Sequence, residues 1–240
     1  PATRRRRAQL RGLTGPGMSA AAVPELSISD PGGTVQLVQV TDTHLSAAAG
    51  GTLIGMDTDR SLLAVLEALR RAHPAPDALL ATGDLADAGA PEAYERLLGY
   101  LDAVTPRHFW LPGNHDDRDA MTALADVVEL GAEGRFRHHA TDLGELRLVA
   151  LDSLVSGAAH GALCAERLAW LQAELDATGD RPLLLMVHHP PGETGIDFMD
   201  RIGLQSSPEL EALLRRHAHR IQRIVCGHVH RPIFYRWLGI

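Results

Sequence analysis

The chain contains no lysine; all 23 of its basic residues are arginine. That removes lysine Schiff-base chemistry and the phosphate-gripping lysine of a P-loop from consideration. Aromatic residues make up only 4% of the 240 residues, too few for a platform on which nucleic-acid bases stack. A cationic surplus is missing as well. The net charge is −7, whereas a duplex-binding face is positive, so no nucleic acid duplex is expected as a partner. Two cysteines, Cys164 and Cys226, cannot staple a framework. Both read as small buried hydrophobes in a reducing compartment, and the expected location is cytoplasmic. No run approaches the roughly 18 apolar residues of a membrane span, so none is expected.

The N-terminus carries RRRR at 4–7, the charge of an export signal, but the following AQLRGLTGPGMSAAAVPEL lacks the continuous apolar stretch such a signal needs. Residues 1–30 read as a disordered leader, with Met18 a candidate natural start. Residues 31–240 read as one domain, since a 45% hydrophobic chain of this length can bury one large core.

Along that domain, strand and helix patterns alternate. Strands are expected over 35–41, in DALLA, in HFWL, in PLLLMV and in IQRIV, and FRHHATDLGELRLVALD reads as a hairpin turning near 142–145. Helices are expected over 58–71, from Pro91 to Val104, over 117–128, over 165–177, and from Ser207 to about 217. The pattern is that of an α/β domain with helices covering sheet faces. Residues 231–240 read as the start of a further strand, with Ile233, Tyr235 and Trp237 on alternating positions. Because no turn or polar tail follows, the expectation is a chain shortened at its C-terminus.

Five of the apolar runs end in metal-type ligands: Asp42-Thr43-His44, Gly83-Asp84, Gly113-Asn114-His115-Asp116, His188-His189 and Gly227-His228-Val229-His230. Runs of four to eight apolar residues read as strands buried on both faces, and the carboxyl edge of such a sheet is where ligands bind. Asp42, His44, Asp84, Asn114, His188, His228 and His230 offer three carboxylate or amide oxygens and four imidazoles, with no thiolate. That set suits two divalent or trivalent transition-metal ions, with Fe, Mn or Zn expected. Seven ligands exceed one tetrahedral ion, whereas two ions sharing a carboxylate use them well. Such a pair clamps the attacking and leaving oxygens of a displacement at phosphorus.

The order D-x-H, G-D, G-N-H-D, H-H-P-P, G-H-x-H resembles the calcineurin-like metallophosphoesterase superfamily. LPGNHDDR, LLLMVHHPP, TGIDFMDRIGLQ and CGHVHRPIF resemble the bacterial class III cyclic nucleotide phosphodiesterases and the related glycerophosphodiesterases over about residues 35 to 235. The resemblance implies a four-layer sandwich, two facing mixed β-sheets flanked by helices. It implies that Asp42, His44, Asp84 and His230 hold one ion, that Asp84 bridges, and that Asn114, His188 and His228 hold the second. His115 is then the general acid, and Asp116 either orients it or caps the helix that follows. The nucleophile is expected to be a hydroxide held at the metals, and the partner a small-molecule phosphodiester, a 3′,5′-cyclic nucleotide such as cAMP or a glycerophosphodiester. A homodimer is left open. The rival readings are a phosphomonoesterase or lipid-directed esterase on the same site and, further off, a non-catalytic module with the same fold.

Other polar residues have plainer readings. His189 diverges from His188 and reads as a neighbour of the ligands or a substrate contact. Asp87 reads as a cap or turn residue, and His138-His139 as a solvated edge. His217 and His219 complement a helix C-terminus. Arg118 reads as part of a solvated first helical turn, with a substrate phosphate as its alternative, and His160 lies in a Gly/Ala-rich loop that could border the site.

Overall fold

The computed structural model describes residues 26–30, 33–73, 75–131 and 134–240. Among them the chain runs β1 (Leu26–Asp30), β2 (Gly33–Val40), β3 (Thr52–Leu53), β4 (Met56–Asp57), α1 (Thr58–Ala72), β5 (Ala78–Ala81), α2 (Pro91–Asp102), β6 (His108–Trp110) and α3 (Arg118–Thr122). It continues with β7 (His139–Leu143), β8 (Leu146–Leu151), α4 (Ala165–Ala177), β9 (Leu183–Val187), α5 (Asp197–Arg201), α6 (Ser207–Leu214) and β10 (Ile221–Val225). Local chemistry sets the helix starts. Asp57 accepts from the Arg60 N–H to cap α1, Asp117 accepts from the Ala120 N–H to cap α3, and Pro91 opens α2 where its missing N–H costs nothing.

The strands form two four-stranded sheets with the same plan. In one, β2, β5 and β6 are parallel and β1 is the antiparallel edge. In the other, β8, β9 and β10 are parallel and β7 is the antiparallel edge. The sheets face each other across a core of Leu37, Leu80, Phe109, Leu148, Leu184 and Met186. The outer face of the first sheet packs on α1 and α2 through Leu66, Leu69, Tyr94 and Leu97. That of the second packs on α4 and α6 through Leu171, Leu175, Leu210 and Leu214. The result is a four-layer α/β/β/α sandwich, and strands buried on both faces explain why their sequences are continuously apolar rather than alternating.

Three expectations change. Of the leader expected over 1–30, residues 1–25 lie outside the described residues, while Leu26–Asp30 forms β1, paired with β2 from Leu26↔Leu37 to Asp30↔Gly33. The helix expected over 117–128 ends at Thr122. Tight turns carry the chain to Glu129, whose backbone pairs with His108 and Trp110 and covers the edge of β6. Residues 231–240 form no strand. Pro232 removes a ladder donor, Trp237 and Ile240 bond each other's backbone, and Trp237, Leu238 and Ile240 pack on the α4/α6 layer. No helix among the described residues is long and apolar enough to cross a membrane.

Candidate metal centre

Parallel pairing brings the ends of six strands to one edge of the sandwich. After β2 and β5 the two chains stay side by side, with Asp42 N–H donating to Gly83 O, His44 N–H to Asp84 O and Leu45 N–H to Leu85 O, at 3.0, 3.0 and 3.1 Å. After β9 and β10, Gly227 N–H donates to His188 O at 3.0 Å. The two sheets are tied here as well, since Gln39 at the end of β2 donates to Cys226 O at 2.7 Å.

The side chains converge through strained backbone rather than through strand alternation. β2 ends at Val40, and Asp42 and His44 beyond it are both left-handed, at φ 52° and 42°. Asp84, His228 and His230 are left-handed too, at φ 51°, 74° and 55°. Five of the eight non-glycine residues with positive φ among the described residues are therefore candidate ligands. Each such residue costs of order 1–3 kcal/mol, a cost that concentrates at sites that bind or react.

Two groups result. In the first, Asp42, His44, Asp84 and His230 place one ligand atom each within 4.8 Å of the others. His44 Nε2 lies 3.0 Å from His230 Nε2 and 3.8 Å from Asp84 Oδ2, and His230 Nε2 lies 3.4 Å from Asp42 Oδ1. The second group comprises His188, His189 and His228. His188 Nε2 is 3.3 Å from Asp84 Oδ2, so Asp84 faces both groups.

The charges are balanced among these residues. Burial alone would raise Asp84, but the His188 and His44 imidazoles and the His115 N–H outweigh it and hold the carboxyl well below the usual range. Burial also opposes ionisation of Asp42, which His230, His188 and the Thr41 hydroxyl hold low. Burial disfavours charge on His188 as well, yet Asp84 and Asp42 raise it to about 9. His228 is pushed down to about 4 by burial and by His188. Two anions thus sit among imidazoles that cannot all be charged together. Metal binding at such a site releases protons.

The residues fit a pair of ions by two independent observations. Buried polar atoms almost always form hydrogen bonds, yet Asn114 Oδ1, His188 Nε2 and His228 Nε2 form none among the described residues, His188 Nε2 having only the Asp84 carboxylate nearby at 3.3 Å. These are the ligand atoms that a second ion would use beside Asp84. Moreover, the three motif glycines have no room for a side chain. A Cβ on Gly83 would come within 2.5 Å of His188 Nδ1, one on Gly113 would strike Asp84, and one on Gly227 would strike Thr41 and lie 2.9 Å from Asp42 Oδ2. Each glycine lets one ligand close against another.

The remaining motif residues sort clearly. His115 is half exposed, standing edge-on to His44 at 4.7 Å, with its N–H backbone donating to Asp84 Oδ1 at 2.8 Å. Its Nδ1 lies 3.4 Å from Asp87 Oδ1, so Asp87 takes the place beside the imidazole. Asp116 neither orients His115 nor caps a helix. Its carboxylate is buried behind Asp84 and accepts from Leu85 N–H, Ala86 N–H, Gly113 N–H and the Tyr94 hydroxyl, which makes it the knot that holds the Asp84 and Asn114 loops together. Burial and Asp84 push it up to about 6. His189 stands near His228, but both its nitrogens are occupied, Nδ1 at 2.8 Å from Ser153 Oγ and Nε2 at 3.2 Å from Ala159 O.

Elsewhere, His138 stacks on Trp170 at 4.2 Å and His139 on Phe109 at 6.2 Å, so this edge is packed rather than solvated. Cys164 is exposed just before α4, and Cys226 is half-buried, its thiol pushed up to about 12 by burial.

One strand end escaped the sequence reading. Asp152-Ser153 follows the apolar β8 just as the other pairs follow theirs. Asp152 is fully buried and accepts from Arg118 Nε at 2.6 Å and Nη2 at 2.8 Å, and from the N–H groups of Arg137 and Leu154. Arg118 is thus committed to a buried ion pair and free for neither of its expected roles. Removing one partner of such a pair strands the other, so Asp152→Ala is expected to cost about 3–5 kcal/mol of stability. Urea unfolding would show this as a lower midpoint with an unchanged slope, and an unmoved midpoint would refute it.

Comparisons with known proteins bear on this geometry. A model of the calcineurin-like phosphoesterase family matches residues 35–232. A 3′,5′-cyclic-nucleotide phosphodiesterase of Nostoc sp. is 36% identical over 197 residues, covering 82% of this chain and 72% of that protein. A glycerophosphodiester phosphodiesterase of Enterobacter lignolyticus is 32% identical over 196 residues, covering 81% of this chain and 70% of that one. Among solved structures, a dimetal phosphatase from Danio rerio shares the fold, with a TM-score of 0.64 at 16% identity over 84% of this chain and 82% of that chain.

Proposed function

The chain belongs to the calcineurin-like phosphoesterase family, and from that premise we propose that it is a two-metal phosphodiesterase acting on 3′,5′-cyclic nucleotides. The observation that carries this reading is the convergence of two ligand groups on Asp84, with Asn114 Oδ1, His188 Nε2 and His228 Nε2 left without a hydrogen bond among the described residues. Asp42, His44, Asp84 and His230 would hold the first ion, and Asp84, Asn114, His188 and His228 the second. Mixed oxygen and imidazole ligands without thiolate suit Fe, Mn or Zn. Bound there, the pair supplies Lewis acidity at phosphorus and an acidified water.

The protein's own groups do the rest. His115 stands at the open side of the cluster, with Nδ1 turned to Asp87. The Asp87 carboxylate beside Nδ1 would offset the charge of a doubly protonated imidazole, the form in which Nε2 can give the leaving oxygen its proton as a general acid. Asp116 and Tyr94 act behind the site, locking the loops that carry Asp84 and Asn114. A glycerophosphodiester is the second reading, supported by the likeness to the Enterobacter protein.

The test is chelation followed by reconstitution. Protein stripped of metal should lose its activity on a chromogenic diester and regain it with Mn, and metal analysis should give two ions per chain. Full activity in thoroughly metal-free protein would end the proposal. Kinetics with cyclic nucleotides, glycerophosphodiesters and monoesters, run on the same preparation, would rank the substrates.

A further inference from the structure

Next to the two ligand groups stands a third, which the two-ion centre does not use as a ligand set. His44, Asp87 and His115 place one ligand atom each within 4.8 Å of the others. His44 is shared with the first group, whereas Asp87 and His115 belong to this one alone. His115 Nδ1 and Asp87 Oδ1 stand 3.4 Å apart. That is longer than the roughly 2.7–3.2 Å of an N–H···O bond. It matches two ligands on one tetrahedral ion, which lie about 3.3–3.4 Å apart when each is about 2.0–2.1 Å from the metal. Both side chains are partly open to solvent, so an ion can reach them and fill its remaining positions with water.

The backbone holds this pair in place. The Asp87 N–H donates to Leu45 O at 2.9 Å, and the N–H groups of the two residues before it are held by the Asp116 carboxylate. The His115 N–H is held by Asp84. Gly89, at φ 64°, lets the two loops close on each other, since a Cβ there would lie 2.9 Å from the Asp117 backbone nitrogen. Between Asp87 and Gly89, Ala88 is left-handed at φ 54°, so the turn that presents Asp87 is strained like the segments that carry the ligands. Two ligand atoms held at coordination distance by fixed backbone are a site prepared in advance.

The donors select the ion. An imidazole suits zinc, whereas magnesium and calcium prefer oxygen alone, and the tetrahedral spacing suits zinc as well. His44 Nε2 is turned to the first group, 3.0 Å from His230 Nε2, so the additional ion rests chiefly on His115 and Asp87 and binds more weakly than the pair. Its effect follows from the role of His115. A cation on Nδ1 takes the place of one of the two protons of the charged ring. The N–H left on Nε2 is a far weaker acid than an imidazolium, and the leaving oxygen goes unprotonated.

We propose that His115 and Asp87, with His44 beside them, form an inhibitory zinc site, at which a third ion silences the general acid while the catalytic pair stays in place. The inhibition rests on the phosphodiesterase reading, and the binding does not. The test uses the full chain, stripped by chelation, reconstituted with two equivalents of zinc and then titrated with more. In equilibrium dialysis with metal analysis, His115→Ala and Asp87→Asn should each bind one zinc fewer per chain than the wild type, a difference that zinc held elsewhere on the surface does not alter. In the wild type the extra zinc should lower turnover of cyclic AMP by about tenfold or more, as the acid's contribution is lost. Turnover of bis(4-nitrophenyl) phosphate, whose leaving group needs no proton, should change less than about twofold, well short of that contribution. Equal zinc binding by the wild type and both variants would overturn the site. Equal inhibition on the two substrates would overturn the silencing of the acid and point to exchange at the catalytic pair. A wild type that takes up the extra zinc at these residues but cleaves no diester with zinc or manganese would keep the site and overturn the phosphodiesterase reading.

Discussion

Asp84→Asn is expected to fold as the wild type does and to lose essentially all diester hydrolysis, because the centre can no longer hold two ions. The side chain is 2% exposed and stands between the two ligand groups, 3.3 Å from His188 and 3.8 Å from His44. An amide keeps the shape and can still accept the His115 N–H, which the carboxylate accepts at 2.8 Å. What it lacks is the negative charge that offsets two cations. Altering residues that merely hold metal ligands typically costs 10–100-fold in affinity, and the loss of a shared ligand should exceed that. Asp84→Ala should go further, because it also strands a buried N–H and leaves His188 without its counter-charge. Metal content per chain, measured with thermal unfolding, separates the two effects. A normally folded Asp84→Asn protein with two ions and wild-type turnover would remove Asp84 from its proposed role.

Much of this architecture is legible in the sequence because its strands are central. Residues buried on both faces must be apolar throughout, so LLLMV and ALLA stand out, and the polar residue after each marks the carboxyl edge. The division into two facing sheets is not written there, because a strand shows that it is buried without showing what buries it. Residue roles are legible only as far as side-chain type determines them. Asp116 and Asp84 look alike in sequence, yet Asp84 faces the cluster while Asp116 turns away to accept four donors. The left-handed backbone at Asp42, His44, Asp84, His228 and His230 was equally hidden, since no glycine announces it. Asp152 obeys the same rule as the others, an acid closing an apolar run, but its side chain turns to Arg118 instead of the cluster.

His115→Ala should keep both ions and lose about 10²–10⁴-fold in turnover on cyclic AMP, the usual contribution of general acid–base catalysis. The retention of metal follows from geometry. His115 is half exposed at the rim, its side chain is the open neighbour of His44, and its bond to Asp84 is made by the backbone N–H, which alanine retains. The loss should depend on the leaving group. Opening a cyclic nucleotide expels an alkoxide, which needs a proton, whereas 4-nitrophenolate leaves without one. A 4-nitrophenyl diester should therefore suffer much less from the substitution than cyclic AMP. Asp87→Asn should show the same pattern with a smaller loss, because it weakens the carboxylate 3.4 Å from Nδ1 and leaves the imidazole in place. Measuring kcat for both substrates in both variants, with metal content as the control, tests the whole arrangement. Equal losses on the good and the poor leaving group would make His115 a group that positions the substrate rather than one that delivers a proton.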